Sequence, residues 1–442
     1  IRWYFPGALT ATLLVGGLMA VFVVLGSTPS TQAQGGGPVY VPGHYIVVLK
    51  DEVQNPGAVA AQMARAHGLA VGHVYAAALK GFSAAIPDAR LGAVANDARV
   101  RYVEQDQVMF ALGKLAGKPG GGGSTQPAQT VPTGIYRIDA DLSSAAAGNG
   151  SGSVDVDIAI IDTGIQKDHP DLNVVGGVNF STGKSYSDGH GHGTHVAGTA
   201  AARDNAIGVV GVAPGARLWA VRVLDNSGFG WTSDVIAGVN WVAAHAGTVE
   251  VANMSLGGGP SNALDDAVRN AIAAGVIFTL AAGNETDSAA NHSPARVQEA
   301  LTVSAIADSD GQCGGTGADT SYGADDTFAT FSNFGSRVDV AAPGVSIFST
   351  YKGSGYATFS GTSMAAPHVA GAAALYVATH GRNADGNGVI DGADVAAINA
   401  ALVSMGTPQS QTCQVDATGR ERGGFTGDPD SSAEPLLDAG GL

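Results

Sequence analysis

Between Val131 and Met405 the chain repeats one pattern, a short apolar run followed by a longer helical stretch. The runs VDVDIAIID (154–162), ARLWAVRVL (216–224), VEVANMSL (249–256) and GVIFTLAAG (275–283) are nearly all apolar. Strands that bury both faces look like this. The segments between them, HVAGTAAA, DVIAGVNWVAAHA and NALDDAVRNAIAAG, carry helical patterns. Strands alternating with helices lead to an α/β domain, a parallel sheet flanked by helices. Such sheets bind ligands outside the carboxyl ends of their strands. Asp162 ends one of these runs and is followed by Thr163-Gly164.

A separate unit precedes this domain. YIVVLK (45–50) reads as a strand, PGAVAAQMARAHGL (56–69) as a helix, and VGHVYAAAL (71–79) and GFSAAIP (81–87) as paired strands. DARLGAVANDA (88–98) reads as a helix and VRYVEQDQVMF (100–110) as a last strand. The order β-α-β-β-α-β is that of a small α+β, split βαβ domain. On pattern alone, a small binding module is an equally good reading. The stretch GKLAGKPGGGGSTQPAQ (113–129) has the composition of an exposed linker. The expected boundaries are 1–34 for an N-terminal targeting segment, 35–112 for the small domain and 113–127 for the linker. The α/β domain then takes 128–407, and 408–442 is expected to be a flexible tail.

From Ala8 to Leu25 the chain carries no charge, follows Arg2 and gives way to polar residues, with Thr31-Gln32-Ala33 as a cleavage site. This reads as a signal peptide, and export is the expectation. The run is also long enough to act as a membrane anchor before processing. The chain begins at Ile1, so the initiating Met is expected upstream. A net charge of −16 argues against nucleic acid as a partner and is compatible with cation binding. The two cysteines, Cys313 and Cys413, are expected to pair if the chain is exported and to be free thiols otherwise. Cys313 in GQCGG could also be a thiol nucleophile, but no suitably placed base accompanies it.

Three short stretches carry chemistry. Asp162 stands at a sheet edge, His192 in GHGTHVAG (191–198) before a helix, and Ser363 in SGTSMAAPHVAG (360–371) at the start of an apolar helix. Taken singly they read as a turn Asp, a structural His and a helix cap. Together they supply what a serine nucleophile requires. An imidazole must take the hydroxyl proton, and a carboxylate must fix that imidazole's tautomer and steady its charge. Their order along the chain, Asp, His, Ser, is that of subtilisin. On these motifs, residues 128–405 resemble the catalytic domain of the subtilisin and proteinase K family of serine endopeptidases.

That resemblance implies further roles. Asn284 in AAGN (281–284) matches the family's side-chain oxyanion donor, with the backbone N–H of Ser363 as the second. Gly228-Phe229-Gly230 and Ser255-Leu256-Gly257 resemble the two segments that hold a polypeptide substrate as an added strand. The small domain resembles the family's propeptide, an intramolecular inhibitor, with self-cleavage expected within 113–129. A monomer is expected. Gln129, Asp171 and Asn205, with carbonyls of Arg203, Ile207 and Val209, match a structural Ca²⁺ site. Asp339 with carbonyls of Gln298 and Ala300 suggests a second site of the same kind.

A third calcium candidate is visible without any family. In NADGNGVIDGAD (383–394), Asn383, Asp385, Asn387, Asp391 and Asp394 fall at loop positions 1, 3, 5, 9 and 12, with Gly388 at 6 and the carbonyl of Val389 at 7. This is EF-hand-type spacing, with Asp where a bidentate Glu is usual. A plain acidic turn is the alternative. Two rival functions also stand. His190, His192 and His195 form H-x-H-x-x-H beside Asp188, as in a zinc hydrolase, although Thr194 stands where such a motif wants Asp. The other rival is a binding protein that kept the fold without the chemistry.

Overall fold

The computed structural model describes residues 37–120, 126–416 and 419–442. The apolar stretch read as a signal peptide lies outside the described residues, as do linker residues 121–125. Among the described residues no helix is long and apolar enough to cross a membrane.

The small domain follows the order expected. Strand Tyr40–Leu49 leads to helix Pro56–His67, strands Ala70–Tyr75 and Gly81–Ala85, helix Asp88–Ala95 and strand Val100–Ala111. Its antiparallel sheet places Val100–Ala111 beside Tyr40–Leu49, then Gly81–Ala85, then Ala70–Tyr75. Local chemistry sets the helix bounds. The Asn55 side chain accepts from Ala58 N, Pro56 opens the helix, and Gly68 closes it in the left-handed region. Val47, Leu49, Met63, Phe82 and Val94 form this domain's own core.

The main sheet is parallel and runs Val174–Asn179, Arg217–Arg222, Asp157–Asp162, Val251–Met254, Ile277–Ala281, Leu301–Ala307 and Val340–Pro343 in spatial order. Chain order reverses direction at Asp157–Asp162. Later strands are laid down on the far side of it, which makes its carboxyl end a topological switch point. Asp157–Asp162 is buried along its whole length, consistent with layers on both faces. Helix Thr362–His380 crosses the centre of the molecule and is buried on almost every side. Of the seven strands, four are those expected from apolar runs.

Two expectations change here. The linker is exposed at 114–117 as expected but is not loose coil, because Lys114–Gly120 is a strand paired antiparallel to Gly355–Ser360. The tail is not loose. Ala341 N donates to Pro435 O and Leu437 N to Ala341 O, so residues 435–437 cover the free edge of the strand Val340–Pro343. Leu436, Leu437 and Leu442 are buried, and apolar burial of this kind holds the segment down. Cys313 and Cys413 are joined as a disulfide, tying the insertion at 308–326 to the tail.

Candidate active site

Asp162 is the last residue of its strand and is fully buried. Thr163 N donates to its Oδ1 at 2.6 Å. His192 opens helix His192–Ala201, which brings its Nδ1 to 2.8 and 2.9 Å from the two Asp162 oxygens. An Nδ1–H facing a carboxylate leaves Nε2 as the basic nitrogen. His192 Nε2 is buried and has no hydrogen-bond partner.

Ser363 is the second residue of helix Thr362–His380. Its hydroxyl donates to Ser255 O at 2.9 Å, so the hydroxyl is turned from the imidazole in this conformation. Asn284 follows the strand Ile277–Ala281. Its Oδ1 accepts from both N and Oγ1 of Thr362, each at 2.9 Å. That fixes the amide's orientation and turns its NH₂ into the cleft.

The cleft is filled by the chain itself. Strand Val100–Ala111 lies antiparallel between Phe229–Trp231 and Leu256–Gly257. Met109 pairs with Gly230 and Phe110 with Phe229 on one side, Phe110 with Gly257 and Ala111 with Leu256 on the other. Ala111 N donates to Gly228 O at 3.0 Å, and Leu112 N to Ser255 O at 3.2 Å. All six residues read as substrate-binding therefore flank this strand. At its end Asn284 Nδ2 donates to Leu112 O at 2.8 Å. A Cβ on Gly361 would collide with Leu112 O, so only glycine admits this carbonyl. A Cβ on Gly113 would lie 3.0 Å from His192 Nε2, which puts that residue over the imidazole. Beyond it Lys114 pairs with Ser360 and Leu115 with Phe359. The peptide unit at the centre is Leu112–Gly113, one bond before the range in which self-cleavage was expected.

Residues 153–409 match the model of the Subtilase family. The chain belongs to the subtilase family. Residues 44–111 match a second model, Peptidase inhibitor I9. The chain is 44% identical to Subtilisin DY of Bacillus licheniformis over 258 residues, 57% of this chain and 86% of that one. It is 45% identical to Subtilisin Savinase of Lederbergia lenta over 250 residues, 56% of this chain and 84% of the relative. A crystal structure of a cold adapted subtilisin-like serine proteinase aligns with a TM-score of 0.50 and 36% identity, covering 69% of this chain and 98% of that one. This subtilase is a subtilisin-type serine endopeptidase carrying an inhibitor domain.

In the subtilase the inhibitor domain is held by contacts that sequence reading missed. Glu104 Oε2 accepts from Asn262 N at 2.9 Å and Ala263 N at 3.3 Å, and Ser261 Oγ bonds its other oxygen. Asp106 Oδ1 accepts from Ser233 N at 3.0 Å. Each carboxylate thus meets the N-terminus of a helix, Asn262–Ala273 or Thr232–Ala244, where partial positive charge gathers. Burial raises both carboxyls above their ordinary range. Asn240 Oδ1 also accepts from the backbone of Ala76, Ala77 and Ala78. The VEQD segment holds both acids. The signal was there in two acids close together on one strand, but their partners lie more than a hundred residues away.

The calcium candidates are placed as follows. Asn205 Nδ2 donates to Asp171 Oδ1 at 2.9 Å, Val209 N to Asp171 Oδ2 at 3.0 Å, and Asn205 N to Gln129 Oε1 at 2.6 Å. Asp171, Asn205, Gln129 and the turn from Arg203 through Ile207 to Val209 thus come together. Burial pushes the Asp171 carboxyl up to about 6. Asp339 accepts from Thr302 N at 2.8 Å, two residues past buried Ala300, while Gln298 is exposed. In the 383–394 loop, Asp394 is buried and accepts from Asp385 N at 3.1 Å and Asp391 N at 3.0 Å. Asn383 Oδ1 is buried without a partner. Asp391 also caps helix Gly392–Met405, the role expected of an acidic turn. The histidine cluster does not assemble. His192 Nδ1 is taken by Asp162, and His195 Nε2 donates to the carbonyls of Ile347 and Ala357 at 3.0 and 3.1 Å. Among the described residues these histidines do not gather their ligand atoms with Asp188 as a metal-holding group.

Proposed function

We propose that the chain is the precursor of a secreted, calcium-stabilised endopeptidase that cuts itself between Leu112 and Gly113, with Asp162, His192 and Ser363 as its triad. The observation that carries this reading is the hydrogen bond from Asn284 Nδ2 to Leu112 O, 2.8 Å long, beside the unpaired Nε2 of His192.

Rotation of the Ser363 side chain away from Ser255 O brings its hydroxyl toward His192 Nε2. Ser363 Oγ then attacks the Leu112 carbonyl carbon as its proton passes to Nε2. Asp162 holds the tautomer and stabilises the imidazolium. Negative charge collects on the Leu112 oxygen, faced by Asn284 Nδ2 and the Ser363 N–H at the helix start. His192 next gives its proton to the Gly113 nitrogen, that bond breaks, and Leu112 is left as an ester on Ser363. Water, deprotonated by His192, releases Leu112 as a carboxylate.

The released inhibitor domain stays in place through strand pairing, and substrates later take the same path as extended backbone. Leu112 and Met109 are buried in the cleft, which favours large apolar side chains at the first and fourth positions before the cut. The proposed boundaries are an inhibitor domain of 35–112, a segment of 113–127 and a catalytic domain of 128–407. Export is supported by the Cys313–Cys413 disulfide, since such bonds persist in oxidising compartments.

Calcium suits the oxygen-only donors at two places. Asp171, Asn205 and Gln129 with carbonyls of Arg203, Ile207 and Val209 would hold one ion. Asn383, Asp385, Asn387, Val389, Asp391 and Asp394 would hold another, and the unpartnered Asn383 Oδ1 favours this over a plain turn. Asp339 with Gln298 and Ala300 is a third candidate. A bound ion would supply cross-linking charge to these loops and no catalytic step.

Expression of the full chain tests the proposal. The parent should yield a mature form whose first residue is Gly113, and Ser363→Ala should remain joined across Leu112–Gly113, as read by intact mass. An Ser363→Ala chain still cut at that bond would overturn self-cleavage.

A further inference from the structure

The insertion at 308–326 contains five Asp and no Lys, Arg or His. Three of the five, Asp308, Asp325 and Asp326, are buried. Among the described residues the one cation brought to them is Arg137, which bonds Asp326 Oδ1 at 2.8 Å and stands 3.9 Å from Asp308 Oδ1. The remaining donors of Arg137 go to the carbonyls of Gly423 and Gly424 at 3.2 and 2.7 Å. One guanidinium therefore reaches two of the three buried carboxylates and leaves Asp325 without a paired cation. Buried charge at this density requires a compensating charge or a proton.

The geometry names where that charge would sit. Asp308, Asp310 and Asp325 each offer an oxygen, and these oxygens lie within 4.8 Å of one another. Hydrogen bonds hold the carboxylates in place, with the Ser309 hydroxyl adding a bond to Asp325 Oδ1 at 3.0 Å, and leave oxygens with room for an ion. Asp325 accepts from Ser309 N and Gly317 N, each at 2.8 Å, and Asp308 Oδ1 accepts from Gly311 N at 3.0 Å. The second oxygen of Asp308 has no partner at all, although the residue is 1% exposed. An ionised oxygen left without a donor in such a place is costly. Asp308 also lines a cavity of about 390 Å³ together with Asp319, Thr320 and Ser321. The disulfide at Cys313 fixes the loop that carries these groups.

We propose that Asp308, Asp310 and Asp325 bind one divalent cation with a preference for oxygen ligands, Ca²⁺ before Mg²⁺. Three carboxylates and a wide, irregular loop suit the larger ion. The site is independent of the residues assigned to calcium above. Its occupant closes the two ends of the insertion on each other and leaves the catalytic groups untouched.

Calcium bound per chain, counted by atomic emission after gel filtration in calcium-buffered solution, tests this on the full Ser363→Ala chain. Asp310 is half-buried and makes one side-chain bond, to Gln312 N. Asp310→Asn should therefore fold normally and carry one calcium fewer than its parent. Asp308→Asn should lose the same ion. A double change, Asp385→Asn with Asp391→Asn, should remove a different ion, so its loss adds to that of Asp310→Asn. An unchanged calcium count in folded Asp310→Asn and Asp308→Asn would overturn the proposal. Loss of one ion in Asp310→Asn that is not additive with the loop change would also overturn it, by placing that ion elsewhere.

Discussion

At the scale of single residues, the site depends on amide and imidazole groups whose orientation is set by neighbours. Thr362 fixes Asn284 through two bonds to one oxygen. Asn284→Ala removes the side-chain donor but leaves the Ser363 N–H. Loss of one such donor costs about 10²–10³ in turnover, a magnitude known from subtilisin itself. Turnover of a peptide substrate by the mature enzyme should fall by that factor with KM little changed. His368 is a second telling residue. It lies buried in the helix that carries Ser363, its Nδ1 donating to Met364 O at 2.8 Å. Burial pulls this imidazole from an ordinary 6.5 down to about 4. A base whose pKa falls on folding binds fewer protons in the native state across that interval. Its contribution to stability is then full above pH 6.5 and is lost as pH falls toward 4, by about 1.4 kcal/mol for each pH unit crossed. Melting temperature should drop across that window, and His368→Gln should flatten the drop. If the slope is unchanged, His368 is not its source.

At the scale of elements, the sequence was informative wherever local pattern and final position agreed. The six elements of the inhibitor domain and four strands of the parallel sheet were legible because each is an apolar run with a clear turn after it. Val174–Asn179 was not, since its two glycines interrupt the run. The ring of Trp219 packs where the side chain of Gly176 would be, leaving no room for an added Cβ. The edge-covering tail was misread because Gly, Asp and Ser dominate it, while its anchors, among them Phe425, Leu436, Leu437 and Leu442, are scattered and meet distant parts of the chain. At the site, Asp162, His192, Ser363 and Asn284 were named from motifs. The Ser363–Ser255 bond and the position of Leu112 depend on long-range packing that no local pattern encodes. The same holds for the caps of Glu104 and Asp106 on two helices. Asp106→Ala removes a helix-end carboxylate bond worth about 1–2 kcal/mol. After self-cleavage the inhibitor domain should leave roughly tenfold faster, seen as a shorter lag before activity, with Asp106→Asn intermediate. An unchanged lag would mean that this cap adds nothing to inhibition.

At the scale of the whole molecule, the candidate ion sites lie at separate places in the catalytic domain. At two of them a buried oxygen has no partner, Asn383 Oδ1 in one and Asp308 Oδ2 in the other. Asp385→Ala with Asp391→Ala should lower the melting temperature by several degrees when calcium is present and far less in chelator. Equal losses in both conditions would return 383–394 to an acidic turn with a capped helix.

The chain passes through its own cleft with both flanks paired, from Val108 on one side to Lys114 on the other. Scission of Leu112–Gly113 is therefore a unimolecular event. Its half-time should not change on dilution, and a second polypeptide cannot compete for the first turnover of any molecule. On the proposed self-cleavage each enzyme is its own first substrate, so the moment of the first cut is set by how fast one chain folds, while the onset of activity waits on release of the inhibitor domain.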